Sequence, residues 1–234
     1  MKIADTLSEV VDILFPRVCS VCGRALIKGE DIMCLHCLLN LPRVTLHSLT
    51  DNEIHINLMS MKTHIDKAAS LFYYIRDTDY TNLIKDAKYR SRPSIGRKLA
   101  RMFAAELVER DFFDGIDMIV PMPIHFTKMF TRGYNQTYHM ALGISDVTLL
   151  PVAELLKMKR MHPSQTRKGA SQRAQNAIDE FAVTGDEPPR GSHLLVIDDV
   201  ITTGATMMSA LDTLRQAYPH VKLSLLSLAL TKLQ

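Results

Sequence analysis

The chain has 234 residues, 47% of them hydrophobic, with ten prolines, four cysteines and no tryptophan. That length suffices for one good core plus a small appendage. A net charge of +3 is too slight to argue by itself for a nucleic-acid partner, and no stretch is long and apolar enough to span a membrane. The N-terminus lacks the apolar core of a signal peptide, so the expectation is a cytoplasmic protein without membrane insertion. Lys and Arg are unevenly placed. Residues 85–101 hold seven basic side chains and one acid, and residues 157–173 hold six and none. Such clusters serve phosphates of any kind.

Residues 2–15 place Ile3, Leu7, Val10, Val11 and Leu14 at helical spacing, which predicts a short amphipathic helix docked on the body. Cys19-x-x-Cys22 and Cys34-x-x-Cys37 follow, with eleven residues between the pairs. Two such knuckles offer one ion a closed tetrahedron of thiolates, the pattern of a structural zinc. Gly23 suits the first turn. Disulfides are the rival reading, disfavoured in the cytoplasm, and His36 is an alternative ligand. A ribbon this small needs metal to hold itself. Its spacing is equally compatible with binding nucleic acid, binding a protein or only packing. Residues 43–66 carry weak signals, and His47, His55 and His64 read as surface or packing residues. The division expected is 1–66 for helix, ribbon and connector, and 67–234 for the main domain.

Residues 68–75 read as a strand, 80–89 as a helix, 90–93 as a basic loop and 95–109 as a second helix. Lys85, Lys88, Arg90 and Arg92 read equally well as a solvated face. Residues 116–123 form a buried strand that leaves through Val120-Pro121-Met122-Pro123. Lys128 follows, and Arg132-Gly133-Tyr134-Asn135-Gln136 is predicted to open a helix running to about Leu142. In a parallel sheet, ligands bind at the carboxyl ends of the strands. Lys128 and Arg132 are therefore candidates to hold a pyrophosphate, helped by N–H groups near Gly133. An arginine at a helix N-terminus opposes the dipole unless an anion is present.

Residues 152–156 and 180–183 read as strands. The polar, basic segment between them, around Gln165, Arg167, Lys168, Gly169 and Arg173, is expected to act as a lid over a bound anion. An ordinary solvated loop is the rival. Residues 194–206 then read Leu-Leu-Val-Ile-Asp-Asp-Val-Ile-Thr-Thr-Gly-Ala-Thr. The apolar, β-branched first half suits a strand buried on both faces. Asp198 and Asp199 need a reason at its exit, because an unpaired buried charge is expensive. Thr202, Thr203, Gly204, Ala205 and Thr206 form a small-residue loop opening a helix over 207–218, whose N–H groups make an anion site. A phosphate there, with two carboxylates to accept from sugar hydroxyls, describes a site for a 5-phosphorylated ribose. Residues 221–230 form the last strand.

The 194–206 string resembles the signature of type I phosphoribosyltransferases. The whole chain resembles the ComF family, the ComFC or GntX-like group. The resemblance rests on the paired cysteines, Val-Pro-Met-Pro…Arg-Gly-Tyr-Asn-Gln, Pro-Ser-Gln-Thr…Arg-Ala-Gln-Asn and Asp-Asp-Val-Ile-Thr-Thr-Gly-Ala-Thr. It implies an α/β fold, a mostly parallel sheet flanked by helices, with a small N-terminal zinc ribbon. It implies a phosphoribosyltransferase binding 5-phosphoribosyl 1-diphosphate (PRPP) with Mg²⁺, and transfer to an unidentified acceptor with release of pyrophosphate. Asp198, Asp199, Lys128 and Arg132 would be catalytic. Pro123, Gly133, Asn135, Gln136, Gln165, Arg167, Arg173, Val200 and the loop from Thr202 to Thr206 would bind PRPP. No residue stands out as a general base. Any hood over an acceptor is expected from residues before about 70, since the sequence ends just after the last strand. The alternative is a non-catalytic adaptor for DNA uptake in competence, binding single-stranded DNA and a helicase-like partner, with PRPP as a regulator. Aromatic side chains for stacking bases are sparse, with Tyr73, Tyr74, Tyr89 and Tyr134 the candidates.

Overall fold

The structure, a computed structural model, describes residues 16–45, 50, 54, 64–89, 93–159 and 180–232. The predicted helix over 2–15, His47, His55, Arg90, Arg92 and the lid residues Gln165, Arg167, Lys168, Gly169 and Arg173 lie outside the described residues. In chain order come helix α1 (Leu35–Leu39), strand β1 (Ala68–Tyr73), helices α2 (Thr81–Tyr89) and α3 (Pro93–Val108), strand β2 (Met118–Pro121) and helices α4 (Phe126–Arg132) and α5 (Gln136–Thr148). Strands β3 (Leu156–Met158), β4 (Phe181–Val183) and β5 (His193–Ile201), helix α6 (Ala205–Ala217) and strand β6 (Lys222–Leu230) follow.

Four strands form one parallel sheet in the order β1-β6-β5-β2. Parallel strands are covered on both faces, so they need apolar side chains of both parities. In β5, Leu195 and Ile197 enter one cluster, with Ile119, Leu226, Leu99, Phe103, Met140 and Ile144. Leu194 and Val196 enter the other, with Val120, Leu223, Leu225, Met207, Leu211 and Leu214. Helices α3 and α5 thus cover one face and α6 the other, joined there by the antiparallel pair β3–β4. The two fully buried serines of β6 are satisfied. Ser227 Oγ donates to Ser70 Oγ at 2.9 Å, and Ser224 Oγ accepts the Lys67 N–H at 3.0 Å.

Three sequence expectations change, the first being the strand read at 152–156, which is Leu156–Met158 with Val152 in an isolated bridge to Ile119. The aspartate pair lies inside β5, which continues to Ile201, with Asp198 in register with Ser227. Arg132 does not open a helix. It is the last residue of α4, a separate short helix capped by Gly133 at φ 78°, and the next helix starts at Gln136 and runs to Thr148. At a helix C-terminus a guanidinium is favoured by the dipole with no anion present, so the dipole carries no argument for a ligand at Arg132.

Cys19, Val21, Met33, Cys34, Cys37 and Leu41 join the same apolar cluster as α3 and β1. Tyr80 Oη donates to the Cys37 carbonyl at 3.1 Å, Lys98 pairs with Asp31 at 2.5 Å, and Arg43 pairs with Glu106 at 2.6 Å. The ribbon therefore packs on the body.

Helices α3 and α5 approach closely. A Cβ on Gly143 would fall 2.1 Å from the Arg97 carbonyl oxygen, whereas one on Gly96 would meet the Met140 side chain at 3.4 Å and the Ala87 Cβ at 3.5 Å. Gly143→Ala is therefore expected to cost about 1–3 kcal/mol by overpacking. Gly96→Ala is expected to stay within about 1 kcal/mol of wild type, because gained helix propensity offsets a yielding contact. Urea denaturation of both variants checks the contrast.

Candidate functional site

Because β2 and β5 are parallel, both deliver their carboxyl ends to one edge of the sheet. A cavity of about 390 Å³ opens there. Its wall includes Pro123, Lys128, Arg132, Gln136, Asp198, Asp199, Val200, Thr202, Gly204 and Thr206. These sequence candidates come together in one place. Thr203 and Ala205 lie in the same loop, where Thr203 Oγ1 accepts the Ala205 N–H at 3.5 Å.

Gly204 adopts φ 78°, a left-handed conformation that glycine takes without a Cβ penalty, and it turns the chain into α6. It supplies no side-chain cap. The first N–H groups of this 13-residue helix therefore remain at the pocket wall with the positive end of the dipole.

On the β2 side, the Pro-Met-Pro turn is tied to the start of α5. The Met122 carbonyl accepts from Thr137 Oγ1 at 2.5 Å and from Asn135 Nδ2 at 3.1 Å. Asn135 Oδ1 also accepts the Thr137 N–H at 3.1 Å, making Asn135 the N-cap of α5. Its side chain is thus committed to the scaffold. The Gly133 N–H is committed as well, to the Met129 carbonyl at 2.8 Å.

The aspartates occupy different environments, because successive strand residues point to opposite faces. Asp199 points to the α5 side. Gln136 Nε2 donates to its Oδ2 at 2.8 Å, and Lys88 Nζ pairs with its Oδ1 at 2.8 Å. Arg132 Nη1 donates to Gln136 Oε1 at 2.8 Å. Arg132, Gln136, Asp199 and Lys88 form one continuous chain of polar contacts. Asp198 Oδ1 accepts the Asp199 N–H at 2.8 Å. Burial, with the Asp199 charge beside it, pushes the Asp198 carboxyl up to about 7.

Among the wall residues that sequence reasoning did not assign to the site are Lys88 and His125. Lys88 was legible only as part of a basic run, which solvated faces also have. The signal for His125 was its place before α4. Its Nδ1 accepts the Thr127 N–H at 3.3 Å as the helix cap, so a neutral ring carries its proton on Nε2. The Tyr134 hydroxyl donates to the Ala87 carbonyl at 2.7 Å. The strongly exposed rings nearby are Phe126 and Phe130.

The four cysteine sulfurs lie within 4.8 Å of one another. Cys22 and Cys34 Sγ are 3.8 Å apart, the edge of a tetrahedron with metal–sulfur bonds of about 2.3 Å. Cys19 Sγ accepts the N–H groups of Cys22 and Cys34 at 3.5 and 3.3 Å, as thiolate ligands do. The donor set fits one thiophilic ion with no open position.

Residues 138–229 match the phosphoribosyl transferase domain family, and β5 and β6, which lie in that span, belong to the parallel sheet between helices. More of the chain is similar to the DNA utilization protein YhgH of Salmonella typhimurium, at 26% identity over 204 residues, 81% of this chain and 80% of that one. The protein of the same name from Escherichia coli K12 is 25% identical over 206 residues, with the same coverage. With the cysteine cluster, these matches uphold the resemblance to the ComF family. Among solved structures, an adenine phosphoribosyltransferase is 17% identical with a TM-score of 0.40, over 65% of this chain and 75% of that one. The glutamine PRPP amidotransferase of B. subtilis is 18% identical with a TM-score of 0.39, over 60% of this chain and 30% of that one. No helix among the described residues is long and apolar enough to cross a membrane.

Elemental analysis of purified protein is expected to find a single metal ion per chain, lost in Cys34→Ser together with part of the thermal stability. The raised Asp198 carboxyl gives a second expectation. Its folded value of about 7 exceeds the unfolded value of 3.8, so the fold binds the proton more tightly than the unfolded chain. Its stabilising contribution is full below the unfolded value and is lost as pH rises through the folded one. Asp198→Asn should therefore raise the melting temperature at pH 8, and this advantage should shrink steadily toward pH 4. An equal gain at both pH values contradicts the assignment.

Proposed function

We propose that the protein binds Mg·PRPP at the carboxyl edge of β2 and β5 and transfers its phosphoribosyl group to an acceptor, releasing pyrophosphate. One observation carries the reading: a single cavity is walled by a helix N-terminus whose N-cap glycine gives no side-chain cap, a carboxylate pair and three cationic side chains, Lys88, Lys128 and Arg132. These match, in order, the 5-phosphate, the ribose hydroxyls and the pyrophosphate. The helix N-terminus and the hydroxyls of Thr202 and Thr206 receive the 5-phosphate. The carboxylate pair lies beside the sugar, and Lys128 and Arg132 neutralise charge growing on the leaving pyrophosphate. Mg²⁺ bound with PRPP would neutralise part of its charge. The protein's task is positioning and electrostatics, with no covalent nucleophile. The ribbon holds a structural zinc, and the protein works in the cytoplasm.

A second reading is a non-catalytic adaptor that handles single-stranded DNA with a helicase-like partner and senses PRPP. It is favoured by the name DNA utilization protein carried by the relatives. Titration calorimetry with Mg·PRPP tests the site common to both readings. Lys128→Ala and Arg132→Ala should each weaken binding by about tenfold or more, the loss expected for a charge-assisted contact. No heat of binding in wild type would remove PRPP from the site. Pyrophosphate release across a panel of nucleobases and amines then supports transfer. Release with none of them, beside DNA binding that falls steeply with salt, supports the adaptor.

A further inference from the structure

We infer that Lys88 is a positioning residue of this site. Together with Gln136 it holds both oxygens of Asp199 within the protein, leaving Asp198 as the carboxylate that meets the sugar. The inference rests on the PRPP reading and deepens it by giving the paired acids unequal roles.

Three observations carry it. Asp199 is 4% exposed, and each of its oxygens has a donor at 2.8 Å, one cationic and one neutral. A carboxylate so enclosed would have to give up a protein partner before accepting from a ribose hydroxyl. Asp198 points to the other face of β5 and receives only the Asp199 N–H. Its second oxygen has no protein partner among the described residues, and the residue keeps part of its surface toward the cavity. Finally, Lys88 is held from below. Leu83, Ile84 and Ala87 of α2 are buried, and the Ala87 carbonyl accepts from Tyr134, next to the α4 cap. The helix that carries the ammonium is thus fixed to the loop that follows Arg132. This is support of the kind that locks a functional side chain in place.

The same geometry states what Lys88 does. Two adjacent carboxylates beside a pyrophosphate would repel it. The ammonium cancels the charge of Asp199 and fixes its orientation. Gln136 then relays that orientation to Arg132. Losing Lys88 frees Asp199 to turn toward the cavity as an uncompensated anion.

A double-mutant cycle in Mg·PRPP affinity tests this, using full-length wild type, Lys88→Met, Asp199→Asn and the double variant at pH 8. Lys88→Met is expected to weaken binding about tenfold, Lys88→Arg to recover most of that loss, and Lys88→Met in the Asp199→Asn background to add less than about twofold. Additive losses would mean that Lys88 meets the ligand by itself and would overturn the inference. So would wild-type affinity in Lys88→Met. Should Lys88→Met not fold, Asp199→Asn is compared with Asp199→Asn/Lys88→Gln, where the buried charges are gone. Equal affinities support the positioning role, and a further loss above about fivefold overturns it. Failure of wild type to bind Mg·PRPP overturns the functional reading and this inference with it. Binding without coupling overturns this inference alone.

Discussion

A carboxylate inside a sheet has to be neutralised where it stands, and Asp199 is such a carboxylate. Desolvating it without partners would cost several kcal/mol. The partners come from three separate parts of the chain: Lys88 on α2, Gln136 at the first turn of α5, and Arg132 behind it at the end of α4. Each of these elements must therefore sit close to its observed place. Tyr134 ties α2 to the loop between α4 and α5, and Asn135 and Thr137 tie α5 to the turn after β2. The same contacts that satisfy a buried charge shape the cavity wall. Site and scaffold are not separable on this side of the sheet.

The opposite wall follows a different logic. At the start of α6 the wall is mainly backbone geometry, with Thr203 Oγ1 accepting the Ala205 N–H. A left-handed glycine ends the approach from β5, and the helix begins without a cap. Small side chains keep the N–H groups accessible, and buried Met207, Met208 and Leu211 anchor the helix to the sheet. One wall is thus built of side-chain charge and the other of main-chain dipole.

The parts of the site written locally were the parts legible in the sequence. β5 announced itself because a strand covered on both faces must be apolar at both parities, and the loop after it because small residues and a glycine mark a backbone anion site. The cysteine pairs were legible because thiolate geometry fixes their spacing. Helix α4 was not, since seven residues between a Pro-rich turn and a glycine carry too few turns for periodicity to register. Reading Arg132 as a helix opening, rather than the residue before the cap, followed from that. Lys88 was illegible for another reason: its meaning lies in a partner brought near only by the fold. A basic run on a short helix has the same local appearance whether it faces water or a buried acid.

The order of strands has a consequence for how the chain is made. β6 lies in the middle of the sheet, between β1 and β5, yet it follows every other described strand in sequence. As synthesis proceeds, β1 and β5 leave the ribosome with the edges that β6 will later fill still unpaired, and both are rich in apolar side chains. Open, apolar strand edges are templates for pairing with other chains. β6 pairs with β5 across α6, but its pairing with β1 joins residues 157 apart in sequence, and long-range parallel pairing is intrinsically slow. A chain lacking residues 222–230 would therefore leave the facing edges of β1 and β5 open.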